Sequence, residues 1–242
     1  MKEVVISLSD SEAVLHSPAG MEKVASVGFC ETESAAGIAA KLWEGFGSSI
    51  RRKKLVVAAN SRKTIIRIAN ANDFGIRRGL FGMKLGSEEA WDIIKAVFPI
   101  GSAINEDTHI FDISLFGGNV LACFGLLADV CSRMSGIGAE LAGVHRLCRL
   151  ETIEHLLFRK ICRDCERAKS NRVALFHQDS GLRVLAVKDG LPEGAFYISN
   201  HPTRREEELE RILDSLGGKR EITIMGDAKE HDDNWLVKFE GR

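Results

Sequence analysis

The sequence predicts an α/β fold of two lobes, each built on a repeated unit of three strands, a helix and a fourth strand. Both ends of the chain carry short β-branched or apolar runs that are separated by turn residues. At both ends an amphipathic helical pattern follows the third run, and an Asp-Ser pair stands at the first turn. A repeat of whole supersecondary units indicates two related lobes that face each other across a cleft.

The N-terminal unit opens on a hairpin that turns at Asp10-Ser11-Glu12. The helix of this unit is expected to end at Gly45 and Gly47, because glycine weakens a helix. The predicted elements are strands at 4–9, 13–17 and 24–30, a helix at 34–46 and a strand at 55–59.

The C-terminal unit repeats this order. Asp189-Gly190 predicts a second tight turn, and a glycine pair ends the helix that follows. Thr203 stands three residues before Glu206, which is the spacing of a capping box at the start of a helix. The predicted elements are strands at 172–176, 182–187 and 195–199, a helix at 203–216 and a strand at 221–225.

The middle of the chain is less regular. It predicts strands at 64–69 and 143–149, a hairpin of 109–115 with 120–124, and helices at 87–98, 128–141 and 151–169, the first of them capped by Ser87. We therefore expect an N-terminal lobe at 1–150 with a small insertion around 61–105, and a C-terminal lobe at 151–242.

Composition excludes several classes of protein. The chain has 242 residues with 33 Lys and Arg against 34 Asp and Glu, which argues against nucleic-acid binding. No apolar stretch reaches the roughly 18–20 residues that cross a bilayer, and the N-terminus lacks the pattern of a secretory signal. Six cysteines in mostly apolar surroundings indicate reduced thiols and a cytosolic protein.

Three stretches, 108–158, 171–190 and 203–227, carry a resemblance to a known family. The first is a hairpin and helix that lead to Gly143-Val144-His145, the second is two strands around an Asp-x-Gly turn, and the third is a helix and a strand that end in Gly226-Asp227. The chain resembles the PilM/GspL-type actin-like proteins of type IV pilus and type II secretion machines.

This resemblance implies a two-lobed actin-like (ribonuclease H-like) fold with βββαβ units and a cytoplasmic scaffold rather than an enzyme. The scaffold is expected at the inner membrane, which it would reach only through its partners. Those partners would be a single-span inner-membrane pilus or secretion protein, bound through a cytoplasmic peptide, and the assembly ATPase. The alternative is an actin-superfamily ATPase or small-molecule kinase.

In actin-like ATPases two hairpin turns grip phosphate with backbone N–H groups, and glycine allows the close approach. Asp179-Ser180-Gly181 fits such a turn, whereas Glu12 stands where the first turn would need glycine. The candidate degenerate nucleotide cleft consists of Asp10, Asp179, Ser180, Gly181 and Gly226. We expect no cofactor, and leave open ATP and Mg²⁺ bound without turnover. The alternative enzyme would use Asp10 and Asp179.

An apolar and basic segment is the candidate partner-binding surface. Core packing of its apolar residues is the alternative interpretation. The surface consists of Phe74, Arg77, Arg78, Phe81 and Met83.

Cys162 and Cys165 have the C-x-x-C spacing of zinc and redox sites, with Cys148 and His155 as the nearest further ligands. A zinc or redox protein is therefore a third hypothesis. Because the pair lies inside a predicted helix and no second C-x-x-C exists in the sequence, we favour two buried packing residues and no metal.

Overall fold

This computed structural model describes residues 3–9, 12–17, 20–25, 33–50, 54–61, 63–76, 86–98, 100–101, 103–144, 148–178, 181–199 and 204–225. The chain forms two compact units. The first consists of Met1–Thr64 with Leu126–Leu156, and the second of Ile65–Gly125 with Leu157–Arg242. The predicted lobe limits, 1–150 and 151–242, differ from this division and stay a prediction.

The secondary structure alternates short strands with five helices in the described residues. In chain order the elements are β1 (Glu3–Leu8), β2 (Glu12–Ser17), β3 (Gly20–Ala25), α1 (Ala35–Ile50), β4 (Lys54–Ala59), β5 (Ile65–Asn70), α2 (Ser87–Val97), β6 (His109–Phe116), β7 (Val120–Leu127), α3 (Ala128–Val144), β8 (Cys148–Thr152), α4 (Ile153–Ala168), β9 (Arg172–Gln178), β10 (Gly181–Lys188), β11 (Leu191–Ser199), α5 (Arg205–Leu216) and β12 (Glu221–Met225).

The predicted repeat is confirmed by strand pairing. In the first unit β2 pairs antiparallel with β1 and with β3, and β4 pairs parallel with β1. In the second unit β10 pairs antiparallel with β9 and with β11, and β12 pairs parallel with β9. The resulting strand orders are β3-β2-β1-β4-β8 and β11-β10-β9-β12, and a third sheet has the order β5-β7-β6.

The core of the first unit follows from two periodicities. Alternate residues of β1 are buried, and so is a helical stripe of α1, which places both on the same cluster. Helix α3 packs beside α1, where a Cβ at Gly136 would lie only 2.9 Å from Ala35 Cβ. The buried side chains of this cluster include Val4, Ile6, Leu8, Ile38, Leu42, Phe46, Met134 and Ile137.

Two apolar clusters of the second unit can be described from the residues that the structure places. One joins β9, β10 and β12 to α5 through residues such as Leu175, Val184 and Leu209. The other packs α2 against the β5-β7-β6 sheet through residues such as Ile94 and Phe98. Strands β5 and β11 contact each other.

Several predicted boundaries were wrong. Helix α1 continues through Gly45 and Gly47 to Ile50. Burial of Ile50 offsets the loss of helix propensity, which is about 1 kcal/mol for each glycine. Helix α3 continues to Val144, so the next strand begins at Cys148 rather than at 143.

Other differences concern the residues at which elements begin. Strand β3 covers Gly20–Ala25, earlier than predicted, and residues 26–30 lie outside the described chain. Gly86 rather than Ser87 is the N-cap of α2, and its N–H donates to Glu89 Oε2 at 2.9 Å. The N-cap of α5 is Arg204, without a side-chain cap; Thr203, the predicted cap, lies outside the described residues.

Candidate functional site

The first candidate turn joins β1 to β2. Ser9 N–H donates to Glu12 O at 2.9 Å, and Glu12 N–H donates to Ser9 Oγ at 3.1 Å. These bonds close a two-residue loop between Ser9 and Glu12. The loop residues, Asp10 and Ser11, lie outside the described part of the chain.

The second candidate turn joins β9 to β10. Gln178 and Gly181 are paired across it, so this loop also has two residues, Asp179 and Ser180. Both loop residues lie outside the described chain, as does Gly226 of the candidate cleft.

Glu12 and Gly181 occupy equivalent positions in the two units. Each is the first residue of the second strand, immediately after a two-residue loop, and the next residue pairs with the strand before it: Ala13 with Leu8, and Leu182 with His177. The strand registers therefore support the sequence comparison of the two turns. In that comparison Glu12 of the first unit has the position that Gly181 has in the second.

The space above Gly181 is already filled. A Cβ at this position would collide with Ile198 O and would lie 2.6 Å from Tyr197 Oη. Both atoms belong to β11, the neighbouring strand. The glycine is therefore needed for β11 to pack on β10, and this packing is a sufficient reason for it to be glycine.

Tyr197 also covers a buried cation. Arg183 pairs with Tyr197 across β10 and β11, and its Cζ lies 5.3 Å from the centre of the Tyr197 ring. Arg183 is only 4% exposed. A guanidinium at this distance from an aromatic face is stabilised by the cation–π interaction.

The described residues of the two turns therefore do not provide the open glycines that a phosphate-binding pair needs. One turn presents the carboxylate-bearing residue Glu12, and the other presents a glycine beneath an aromatic ring. A carboxylate repels phosphate. Tyr197 was not among the predicted site residues, because the sequence shows only that it lies in a predicted strand.

The two helix cysteines are buried, as predicted. Both lie on α4, and burial raises the pKa of the Cys162 thiol to about 12. Burial also raises the pKa of Cys165. A raised pKa makes a thiol a poor nucleophile at neutral pH.

Among the described side chains, the helix cysteines have no neighbours that would complete a metal site. Within the described residues, no cluster of three His, Cys, Asp or Glu side chains is arranged to hold a metal ion. His155 is half-buried on the same helix, whereas the side chain of Cys148 is outside the description.

Only one residue of the predicted partner-binding surface is described. Phe74 is half-buried and packs against the cluster that joins α2 to the β5-β7-β6 sheet, which fits the core interpretation. Arg77, Arg78, Phe81 and Met83 lie outside the described residues, so the surface itself stays a prediction.

A second apolar surface lies on β6 of the same sheet and was missed at the sequence level. Ile110 is 53% exposed on this strand. Phe111, Ile113 and Leu115 point to the opposite face, where they are partly buried against the α2 cluster. Phe111 is held among aromatic rings, with its centre 5.2 Å from Phe98 and 5.8 Å from Trp91. We call the outer edge of β6, with Ile110 on one face and Phe111, Ile113 and Leu115 on the other, the β6 surface.

Three solved structures share this architecture. A PilM–PilN type IV pilus biogenesis complex matches with a TM-score of 0.63 at 10% identity, over 99% of this chain and 85% of that one. A Bacteroides thetaiotaomicron protein with an actin-like ATPase fold matches with a TM-score of 0.57 at 15% identity, over 98% and 87%.

The third is the cytoplasmic domain of EpsL, an inner membrane component of the type II secretion system of Vibrio cholerae. It matches with a TM-score of 0.52 at 9% identity, over 93% of this chain and 83% of that one. The chain has an actin-like fold.

The expected resemblance to PilM- and GspL-type proteins is thus confirmed at the level of the actin-like fold. No protein-family model and no curated protein sequence matches the chain. Among the described helices, none is both long and apolar enough to cross a membrane.

Proposed function

We propose that this chain is a cytoplasmic scaffold of a type IV pilus or type II secretion-like assembly, peripheral to the inner membrane. It recognises a cytoplasmic peptide of a single-span membrane protein, and a second face contacts the assembly ATPase. The observation that carries the proposal is the actin-like fold shared, over nearly the whole chain, with a PilM–PilN complex and with the EpsL cytoplasmic domain.

A role as a scaffold, rather than as an enzyme, is supported by the chemistry of the two turns. The actin-like alternative, an ATPase or small-molecule kinase, needs both turns open to phosphate. Glu12 and the covered Gly181 argue against that use. Measuring phosphate release from Mg-ATP tests the alternative directly, and steady turnover would favour it.

The β6 surface is the part of the second unit best suited to an extended peptide. Strands β5 and β11, which are the edges of two different sheets, contact each other, which limits the access of a peptide to both. Within the described part of the chain, no strand pairs with the outer side of β6. An added strand would gain backbone hydrogen bonds along β6, and its alternate side chains would contact the apolar residues of the surface.

The test uses synthetic peptides that cover the cytoplasmic tails of single-span membrane proteins encoded beside this chain. We expect one fluorescent peptide to bind the full chain, measured by anisotropy. Replacing Ile110 by Lys places a charge within the contact and should weaken binding at least about tenfold, because burial of an unpaired charge costs more than 1.4 kcal/mol.

Leu150→Lys is the matched control. Leu150 is also an exposed aliphatic strand residue, 37% exposed, but it lies on β8 of the first unit. This variant should bind the peptide as the unaltered chain does. Absence of binding by every peptide would reject the proposed function, whereas equal losses in both variants would reject only the β6 surface.

A further inference from the structure

We propose that the outer edge of β8 is a self-association surface, through which two copies of this chain pair β8 with β8 in antiparallel orientation. Strand β8 ends the order β3-β2-β1-β4-β8, and no strand of the described chain pairs with its outer side. An open edge presents backbone N–H and C=O groups that a further strand can bind. The proposal concerns residues of the first unit alone and does not rest on the proposed function.

An apolar row crosses the sheet of the first unit and ends at this edge. The strand registers align four apolar residues of β2, β1, β4 and β8, namely Leu15, Ile6, Val57 and Leu150. The first three are completely buried in the core of the unit, whereas Leu150 is 37% exposed. A second copy of Leu150 in contact with the first would continue the row and remove apolar surface from water.

The residues on either side of Leu150 carry opposite charges. Arg149 Nε lies 2.7 Å from Glu151 Oε1, and 48% of the Arg149 side chain is exposed. Both side chains point to the face opposite to Leu150, because successive side chains of a strand alternate. The order along the edge is therefore basic, apolar and acidic.

This order selects one register for a pair of β8 strands. In an antiparallel pair with a two-fold axis at Leu150, Arg149 of each copy lies directly opposite Glu151 of the other, and the two Leu150 side chains meet. Directly opposed opposite charges stabilise a strand pair, and like charges destabilise it. A shift of two residues would oppose Arg149 to Arg149 or Glu151 to Glu151. A two-fold contact is closed, so assembly stops at a dimer.

The contact is small, so the expected dimer is weak. Strand β8 has five residues. A pairing of this length buries less than the roughly 1,200 Å² of a standard interface, so we expect a dissociation constant on the order of 10–100 μM. Sedimentation velocity of the full chain from about 5 to about 500 μM covers this range. The mass should rise towards that of a dimer, and a chain that stays monomeric throughout would overturn the proposal.

Leu150→Lys tests whether β8 makes the contact. It places two like charges at the two-fold axis and should weaken dimerisation at least about tenfold. Ile110→Lys is the matched control, because Ile110 is also an exposed aliphatic strand residue but lies on β6 of the second unit. This control should dimerise as the unaltered chain does. A dimer that survives Leu150→Lys, or is lost equally in both variants, would overturn the role of β8.

The register has its own test by complementary charges. Leu150→Glu alone should also fail to dimerise, whereas an equimolar mixture of Leu150→Glu and Leu150→Lys should form a mixed dimer, because opposite charges then meet at the axis. Leu150 is exposed, so these variants should keep the Tm of the unaltered chain. A mixture that stays monomeric would overturn the two-fold register.

Arg149→Glu tests the charged face of the pair. It would set two carboxylates against each other across the strands and should weaken dimerisation at least about tenfold. A dimer of unchanged strength would show that Arg149 does not face Glu151 of the second copy, and would overturn the register.

Discussion

Arg220 and Glu193 form an ion pair that fastens the end of α5 to β11. Arg220 Nη1 lies 2.6 Å from Glu193 Oε2, and the Arg220 side chain is only 5% exposed. The same guanidinium donates through Nη2 to Leu216 O at 2.7 Å and through Nε to Gly217 O at 3.0 Å. These carbonyls end the helix and carry the negative end of its dipole, so one cation satisfies two backbone acceptors and also pairs with a carboxylate.

Arg220→Met should therefore lower the free energy of unfolding by about 2–4 kcal/mol, because it leaves the carbonyls and Glu193 without their cation. The loss falls below that of a fully buried pair since 29% of the Glu193 side chain is exposed. Urea denaturation measures the change.

Arg211→Met is the control for this variant. Arg211 lies on α5 and is exposed, so its loss should change stability by less than about 0.5 kcal/mol. Equal effects of the two substitutions would show that the Arg220 contacts add nothing beyond charge.

Gly136→Ala should destabilise the first unit although alanine is the better helix former. The new methyl would meet Ala35 Cβ at 2.9 Å, closer than packed carbons lie. Overpacking costs about 1–3 kcal/mol against a propensity gain of about 1 kcal/mol, so we expect a net loss near 1 kcal/mol in urea denaturation.

Gly47→Ala provides the opposite case within the same unit. A Cβ at Gly47 would lie 3.5 Å from Trp43 Cε2, an ordinary contact, so this change should raise the free energy of unfolding by about 0.5–1 kcal/mol.

Adding Ala35→Gly to Gly136→Ala should restore space between α1 and α3. Failure of this rescue would argue against the close approach.

Ser34 caps the start of α1. Gly37 N–H donates to Ser34 Oγ at 3.1 Å, which satisfies one of the free donors of the first turn. Ser34→Ala should cost about 1 kcal/mol in thermal or urea unfolding. Ser48→Ala, at an exposed position inside the same helix, should be neutral or slightly stabilising, and a similar loss there would contradict the capping role.

Stability should fall at alkaline pH because of buried thiols. Burial raises the pKa of Cys123 and of Cys162 to about 12. In the unfolded chain each thiol loses its proton near its ordinary pKa of about 8.5, while the folded chain keeps it. The unfolded state therefore gains stability as the pH rises from about 9 towards 12, by up to about 1.4 kcal/mol per pH unit and thiol.

Urea midpoints between pH 8 and 10.5 measure this effect. Cys162→Val should show a shallower decline than the unaltered chain, because one of the titrating buried thiols is gone. An unchanged slope would mean that Cys162 is accessible in the folded protein, and labelling by iodoacetamide under native conditions would then be fast.

Local patterns were enough to predict the βββαβ repeat, because strand alternation and helical spacing are properties of adjacent residues. The boundaries were less predictable. Glycines at 45 and 47 indicated the end of a helix, but α1 continues because Ile50 is buried in the core of the unit. Likewise, the apolar segment at 143–149 gave no local indication that α3 extends to Val144.

The candidate site divides in the same way. The sequence alone identified Glu12 and Gly181 as equivalent positions of the two hairpins. The strand registers agree, because turn length and strand order are encoded locally. Only the tertiary structure decided that Gly181 lies beneath Tyr197, that Arg183 stacks on the same ring, and that Arg220 reaches both Glu193 and the end of α5. These contacts join residues from different strands and helices, and their distances depend on how those elements pack rather than on any pattern along the chain.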